Sequence, residues 1–488
     1  MTSTLERPSR PPAGRQGTLA GPGTDRPMSW VQEHAIGLIA ASAVLLRLPL
    51  VGIAPGADEA GFLMVARQWQ PGGTSLYGGY WVDRPPMLIS IFRVAALFGG
   101  LVPLRLIGCL ATALVVLGVA HVARRIAGAG AAPWAALTAA ALCVTPMTGS
   151  LEVNGELLAA PFVVWGIAGV LVGIDGAARS ERLRRRALWS TFGAGAAAVA
   201  ALLVKQNFAD VGLFVVAALV IAVVRRQLST RQAARLAGAF TGGAVTCLVV
   251  VSGWTVLHGT SLSGVFNAMY PFRVEAGRVM AVSTNPAPAG RLWHLIGSWV
   301  ISGIAPLTAL GAWALVSRRE RATWLWPLAV VLLFDMASAL IGGNYWSHYL
   351  MQLVIPVSIV AGVLVARRQP GMRALLAALG VVAVMAWVVA PPGPAASSGS
   401  PLGHAVGAAA QPGDTVVTVY GHSDVSWATG LSSPYPYLWS LPLKTLDPQL
   451  HQLDTVLTGP DAPTWFVTWA HVSSWGVDST ATGQLLAE

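Results

Sequence analysis

The chain has 488 residues, of which 54% are hydrophobic and 11% are charged, and its 31 Lys and Arg against 21 Asp and Glu give a formal net charge of +10. A soluble fold is excluded, because at this composition it would expose too much apolar surface to water. The charge does not indicate a nucleic-acid partner, since the arginines cluster between long apolar runs, as in a multi-pass membrane protein.

The N-terminal 29 residues combine four arginines with many Pro and Gly, which predicts a disordered basic tail on the cytoplasmic side. No short n-region with a cleavage site indicates a signal peptide. We predict an all-α transmembrane domain over residues 30–393, because apolar runs long enough to cross a bilayer recur along it. Its eleven predicted spans are approximately 31–53, 102–123, 131–149, 156–174, 189–204, 209–224, 236–257, 295–316, 324–341, 349–366 and 373–390.

Most of the cationic residues fall in alternate short loops, including 124–125, 179–186, 225–235 and 318–321. The positive-inside rule then predicts a protein of the cytoplasmic membrane with a cytoplasmic N-terminus, and an odd number of spans places the C-terminus outside. The remaining cations fall outside or in the outer halves of spans, as do Asp210 and Asp335. This asymmetry predicts a polar vestibule open to the outer leaflet.

Three outer segments are long enough to hold structure of their own. Within residues 54–101, the runs DEAGFLMVARQW and RPPMLISIFRVAALFGG have apolar positions at helical spacing and predict interfacial helices. The second outer segment covers 258–294. After a Pro/Gly/Ser-rich linker, residues 394–488 contain the strand-like runs DTVVTVYG and TWFVTWA, which predict a small α/β extracytoplasmic domain.

Two adjacent carboxylates, Asp58 and Glu59, stand in PGADEAGF directly after the first span. They fit the first turn of a helix, where the free amides and the helix dipole favour acids. They also fit a general base facing the vestibule. In YWVDRPPMLI, Arg84 precedes a double proline at the start of an apolar helix, where it is either an interfacial anchor or a ligand for a phosphate.

Further polar side chains fall on the same predicted side of the membrane. Glu152 and Glu156 in SLEVNGELL are four residues apart, a spacing that fits contact with a sugar, a metal or an arginine, or an ordinary helix start. The other candidates are Lys205, Arg273, Tyr345, His348 and Gln352. The three cysteines lie in apolar runs, and their spacing indicates neither a disulfide framework nor a zinc site.

Together these motifs resemble the GT-C class of polytopic glycosyltransferases. The resemblance rests on DE after the first span, a basic residue before PP, an ExxxE near the fourth span and HYLMQLVIP, over roughly residues 31–390. Within the class they are similar to the group of bacterial aminoarabinose transferases and protein O-mannosyltransferases. The resemblance implies that Asp58 is the catalytic carboxylate and that Arg84 contacts lipid phosphate. Arg84 stands where the aminoarabinose enzymes have Lys, so their lipid A specificity is not implied.

The resemblance also implies a sugar donor on polyprenyl phosphate, an inverting transfer with Asp58 as general base, and a glycan, lipid or protein acceptor. On this interpretation Glu59 joins Asp58 as catalytic, and Glu152, Glu156 and Gln352 bind sugar or acceptor. The residues expected to bind the donor phosphate are Arg84, Lys205, Arg273, Tyr345 and His348. The resemblance makes no cofactor certain, and a divalent metal near the carboxylates stays open. The alternatives are a transporter, which would need ionisable groups near the midplane, and a non-catalytic scaffold for cell-envelope assembly.

Overall fold

The computed structural model describes residues 29–179, 185–282, 286–317, 324–368, 371–389 and 399–468. The predicted basic tail, apart from Ser29, and the predicted boundary at 393–394 lie outside the described residues. The helices up to residue 389 are α1 (Trp30–Arg47), α2 (Ala57–Arg67), α3 (Pro86–Leu97), α4 (Leu101–Ala127), α5 (Ala132–Val144), α6 (Gly155–Ala178), α7 (Arg185–Val204), α8 (Asp210–Val224), α9 (Thr230–Leu257), α10 (Leu262–Met269), α11 (Pro271–Val282), α12 (Ala287–Ile301), α13 (Ile304–Val316), α14 (Leu325–Ile341), α15 (Met351–Ala366) and α16 (Met372–Val389).

Each of the eleven predicted spans coincides with helix, but fewer are long enough to cross a bilayer alone. Seven described helices have the length and apolar character of a span, namely α1 continued to Gly52, α4, α6, α7, α9, α15 with the turn before it, and α16. The predicted span 295–316 is the pair α12 and α13, bent by 61°. The other three are α5, α8 and α14, with 13, 15 and 17 residues, below the roughly 20 needed for a full crossing. The chain is a multi-pass membrane protein.

The interior of the membrane part is built around α15, in which every residue from Met351 to Val365 is buried. Helices α4, α5 and α6 pack against it. Outside this core, α9 and α16 expose rows of Val and Leu side chains such as Val249, Val250 and Val388. An apolar exterior of this kind is stable against lipid and not against water.

Helices α7 and α9 cross at unusually short range through two glycines. A Cβ on Gly195 would lie 1.8 Å from the carbonyl oxygen of Phe240, and a Cβ on Gly243 would lie 1.8 Å from that of Phe192. Small residues at such crossings let two backbones approach, which is the main source of packing energy between helices in lipid. This contact fixes α9 beside α6 and α7.

The two predicted interfacial helices differ in their surroundings. Helix α3 is amphipathic, with Leu88, Ile89 and Phe92 buried while Leu97 is exposed. By contrast, all residues of α2 from Glu59 to Ala66 are buried, because α2 lies between α3 and the C-terminal unit. The apolar periodicity of α2 therefore matches burial in protein from Glu59 to Ala66.

The C-terminal unit is a small α/β structure, as predicted. It contains α17 (Ser400–Ala409), β1 (Val416–Val419), α18 (Ser423–Thr429), α19 (Ser440–Leu446), α20 (His451–Thr458) and β2 (Trp465–Thr468). The strands fall in the two predicted runs and pair in parallel, with Val416 opposite Trp465. Its own core includes Val417, Tyr435 and Leu453. Helix α18 packs on α2 and α19 on α11, so this unit covers the segments between α1 and α4 and between α9 and α12.

Candidate active site

Asp58 lies in the first turn of α2, where an extended segment becomes helical. Gly56 is the N-cap, with φ −75° and ψ 172°, and the unpaired N–H groups of a first turn favour carboxylates. Asp58 is half-buried and lines a large cavity. Its Oδ1 accepts a hydrogen bond of 2.9 Å from the indole Nε1 of Trp439. The C-terminal unit therefore helps to orient this carboxylate.

Glu59 belongs to a different environment from its neighbour. Its Oε2 lies 2.6 Å from Nη2 of Arg105, and its Oε1 accepts from Nε of Arg105 at 3.1 Å and from the backbone N–H of Val153 at 2.8 Å. The side chain is 0% exposed and is not among the residues that line the cavity. Neighbouring helical residues diverge by about 100°. Glu59 therefore ties α2 to α4 and to the loop before α6.

Arg84 and Arg273 share the buried carboxylate of Asp83, which lies in the loop just before α3. Nη1 of Arg84 lies 2.7 Å from Oδ1 of Asp83, and Nη2 of Arg273 lies 2.5 Å from Oδ2 of the same residue. The hydroxyl of Tyr77 donates to the carbonyl of Arg84 at 2.8 Å, which fixes the loop before the double proline. Asp83, Arg84 and Arg273 all line the cavity. A carboxylate between two guanidiniums leaves a net positive, pre-oriented site for an anion.

A second charged group forms where α6, α7 and the turn before α15 meet. Nζ of Lys205 lies 2.9 Å from Oε1 of Glu156, and Nε2 of His348 lies 3.9 Å from the same oxygen. Glu156 is buried at the start of α6, whereas Lys205 and His348 line the cavity together with Tyr349. Glu156 therefore lies behind the cavity wall and holds Lys205 and His348, which form part of that wall.

Gln352 also lies behind the wall, in a buried hydrogen-bonded network. Its Nε2 donates to Oδ1 of Asp335 at 2.8 Å, and its Oε1 accepts from Nδ2 of Asn207 at 2.9 Å. Asn207 donates to Oγ of Ser338 at 2.7 Å. Of this network, Asn207 and Ser338 reach the cavity. Gln352 therefore orients cavity residues without facing the cavity itself.

Glu152 faces the cavity beside the N-terminus of α2. A Cβ on Gly56 would lie 2.0 Å from its Oε1, so the carboxyl group packs directly on that glycine. Burial, together with the nearby carboxylates of Glu59 and Asp58, raises the pKa of Glu152 from 4.5 to about 8. A carboxyl group that keeps its proton near neutral pH can donate a hydrogen bond, whereas a carboxylate only accepts.

The cavity has a volume of 1040 Å³ and lies between the membrane helices and the C-terminal unit. Among the described residues that line it, cations outnumber carboxyl groups, and one of those carboxyl groups is Glu152, with its raised pKa. The cations are Arg84, Lys205, Arg273, Arg291 and Lys444, and the carboxyl groups are Asp58, Asp83 and Glu152. One flank is apolar, formed by Val279 and Met280 of α11 and Phe334 and Ile341 of α14. The cavity therefore suits an anion that carries an apolar chain.

The structure brings six of the predicted site residues to the wall of one cavity: Asp58, Arg84, Glu152, Lys205, Arg273 and His348. Glu59, Glu156 and Gln352 lie behind that wall, and Tyr345, with a left-handed φ of 54°, is not among the lining residues. Sequence reasoning missed Asp83 and Trp439. The acid directly before Arg84 was a usable signal for Asp83, whereas no local pattern links Trp439 to Asp58. In the described part of the chain, no group of three or more His, Cys, Asp or Glu is arranged to hold a metal ion.

Comparison with known proteins identifies the fold through solved structures. No family model matches the chain, and no curated protein matches its sequence. The oligosaccharyltransferase AglB from Archaeoglobus fulgidus, in complex with an inhibitory peptide and a dolichol-phosphate, has a TM-score of 0.53 at 12% identity, over 84% of this chain and 65% of that chain. The same enzyme, tethered to an acceptor peptide containing the NVT sequon, has a TM-score of 0.51 at 12% identity, over 83% and 64%.

The chain has a GT-C membrane fold. This confirms the predicted fold class, and the chain spans less than two thirds of the length of the archaeal enzyme. ArnT from Cupriavidus metallidurans bound to undecaprenyl phosphate is also similar, with a TM-score of 0.43 at 16% identity, over 89% of this chain and 92% of that chain. At these identities the likeness concerns the fold, so the chemistry has to be argued from the cavity.

Proposed function

We propose that this protein is an inverting glycosyltransferase that moves a sugar from a polyprenyl-phosphate donor to an acceptor hydroxyl at the outer face of the cytoplasmic membrane. The observation that carries the proposal is a single cavity holding the Asp58 carboxylate together with Arg84 and Arg273, which share Asp83. The AglB structure with the same fold contains a dolichol-phosphate, which supports a prenyl-phosphate ligand.

In the proposed step the acceptor oxygen attacks the anomeric carbon as Asp58 takes the acceptor proton. The bond between that carbon and the phosphate oxygen breaks, its electrons leave with polyprenyl phosphate, and the carbon inverts. The leaving group is already an anion, so it needs charge stabilisation rather than protonation. Arg84 and Arg273 supply this charge, and a guanidinium can bind phosphate oxygens in a bidentate manner.

Three further residues of the cavity wall, Lys205, His348 and Glu152, have roles in this proposal. Lys205 extends the positive wall along which the phosphate leaves, His348 lies beside it as a hydrogen-bonding imidazole, and Glu156 fixes the positions of both. Protonated Glu152 donates a hydrogen bond to a sugar hydroxyl. The apolar flank beside Ile341, which is 83% exposed, gives the prenyl chain a path from the cavity into lipid.

The proposal is tested with purified protein in lipid nanodiscs and a panel of polyprenyl-phosphate sugars. We expect the release of polyprenyl phosphate from at least one donor, and faster release when an acceptor mixture from the cell envelope is added. Release from none of the donors, with and without acceptor, would remove the proposed activity.

Glu152 should give the reaction an alkaline limit. As pH rises through about 8, Glu152 loses its proton and places a second negative charge beside Asp58, which opposes binding of the donor phosphate. We expect kcat/KM for the donor to fall about tenfold between pH 7 and pH 9, as expected for one added like charge. Glu152→Gln should be active at pH 7 and lack this fall. An unchanged alkaline limb in Glu152→Gln would contradict the assignment.

The predicted orientation can be checked with two single cysteines at opposite ends of α9. Thr230 is exposed and begins α9. Thr74 is exposed at the other end of α9: it lies in the same loop as Leu76, whose carbonyl accepts a hydrogen bond from Thr260, just after α9. The helix has 28 residues, or about 42 Å at 1.5 Å per residue. In intact cells an impermeant thiol reagent should label Thr74→Cys and not Thr230→Cys. Labelling of the wild-type protein, which has three cysteines of its own, gives the baseline. The reverse pattern would invert the proposed orientation.

A further inference from the structure

A second groove lies beside the candidate active site and has no part in the proposed step. It has a volume of 1080 Å³ and lies between the loop before α3, helices α10 and α11, and the C-terminal unit. Its lining includes Trp81, Phe272 and Tyr437 as aromatic surfaces and Asn267 and Gln452 as amide groups. The groove therefore combines flat apolar faces with groups that both donate and accept hydrogen bonds.

The aromatic residues form one fixed cluster. The ring centroids of Trp81 and Phe272 are 4.6 Å apart, and those of Trp81 and Tyr437 are 6.3 Å apart. The backbone N–H of Trp81 donates to the carbonyl of Pro436 at 3.0 Å, which joins the membrane part to the C-terminal unit. Rings held in this way lose little conformational freedom when a ligand binds against them.

Charged groups on the rim add further hydrogen-bonding capacity. Glu275 and Arg278 form an ion pair at 2.9 Å, and their side chains are 53% and 73% exposed. A hydroxyl-rich ligand can donate to the carboxylate and accept from the guanidinium.

The groove adjoins the candidate active site along three chain segments that contribute residues to both. Trp81 faces the groove two residues before Asp83 faces the cavity, and Phe272 faces the groove one residue before Arg273 faces the cavity. On α19, Lys444 lines the cavity and Thr445 lines the groove. A ligand chain lying in the groove therefore contacts residues that are one or two positions along the protein chain from residues of the charged cavity.

We propose that this groove binds the saccharide chain of a glycan acceptor and delivers its terminal hydroxyl to the cavity. This deepens the proposed function and rests on it. A prenyl chain fits the groove poorly, because amides and charges interrupt its surface. A peptide bound as an added strand needs an open sheet edge, and neither β1 nor β2 contributes to the lining. Edge-to-face rings beside amides and an ion pair suit sugar rings, which have an apolar face and hydroxyl edges.

Binding is measured without donor, using manno-oligosaccharides and arabino-oligosaccharides of one to six residues and the change in tryptophan fluorescence. We expect a series in which oligomers bind and the monosaccharide does not. The double variant Asn267→Ala/Gln452→Ala should raise the Kd for the oligomers of that series about tenfold, and Tyr437→Ala alone should do the same. A tenfold change is the effect of losing one or two good contacts. Gln449→Ala is the matched control, since Gln449 is exposed, lies three residues from Gln452 and does not line the groove.

Three results would overturn the inference: no binding of either series, binding that the groove variants leave unchanged, or variant-sensitive binding of an acceptor peptide or of lipid vesicles instead. Failure of the groove is distinguishable from failure of the proposed function. Without an acceptor, water takes its place, and the groove variants should then hydrolyse the donor and release polyprenyl phosphate at the wild-type rate. If the wild type releases polyprenyl phosphate from none of the donors, with and without acceptor, the proposed function is wrong, while the binding measurement still tests the groove. Equal melting temperatures of the variants exclude misfolding.

Discussion

Asp58→Asn should lower the rate of sugar transfer by about 10³-fold, within the range for loss of a general base, while the Kd for polyprenyl phosphate stays within about threefold. The Asn side chain keeps the size of Asp and can still accept the hydrogen bond from Nε1 of Trp439, so the cavity should keep its shape. What it loses is the capacity to take the acceptor proton. Initial rates in nanodiscs at saturating donor, with donor binding measured separately, check this result.

Two control variants make the Asp58 measurement specific. Asp461→Asn removes an exposed carboxylate of the C-terminal unit and should leave the rate unchanged. Glu59→Gln breaks the buried pair with Arg105, which typically costs about 3–5 kcal/mol because a buried charge is left unpaired, and should therefore lower the melting temperature. If Asp58→Asn keeps the wild-type rate, or if Glu59→Gln loses transfer with an unchanged melting temperature, the base is assigned to the wrong carboxylate.

The contrast between these two carboxylates shows where sequence reasoning stops. Composition and arginine distribution predict that both lie at the outer end of the first span, because apolar length and charge distribution can be read from local sequence. The direction in which each side chain points depends on partners far along the chain. Arg105 lies 46 residues from Glu59, and Trp439 lies 381 residues from Asp58.

In the membrane helices, too, local sequence predicts some features, and neighbours far along the chain decide others. Apolar runs predicted helix at every span, because backbone groups in lipid must pair within their own segment. The runs did not reveal that α5, α8 and α14 are short. Helix α8 begins at Asp210, which is buried, and α14 ends at Ile341, beside the cavity. Whether a helix crosses the bilayer or stops at a polar interior is decided by the neighbours that enclose it.

The anion site has the second large expected effect. Arg84→Ala and Arg273→Ala should each raise the Kd for polyprenyl phosphate about 30-fold to 100-fold, because each removes a charge-assisted hydrogen-bond donor from a desolvated site.

Arg84→Lys keeps the charge but loses the fork of donors that contacts Asp83 and a phosphate together, so we expect an intermediate loss of about tenfold. Arg225→Ala, from the exposed arginines between α8 and α9, is the matched control and should bind as the wild type does. Binding is followed by native mass spectrometry of nanodisc samples across a lipid titration. Equal Kd values for wild type, Arg84→Ala and Arg273→Ala would show that the phosphate lies elsewhere, because two guanidiniums held by one buried carboxylate cannot both face a bound anion and contribute nothing to its affinity.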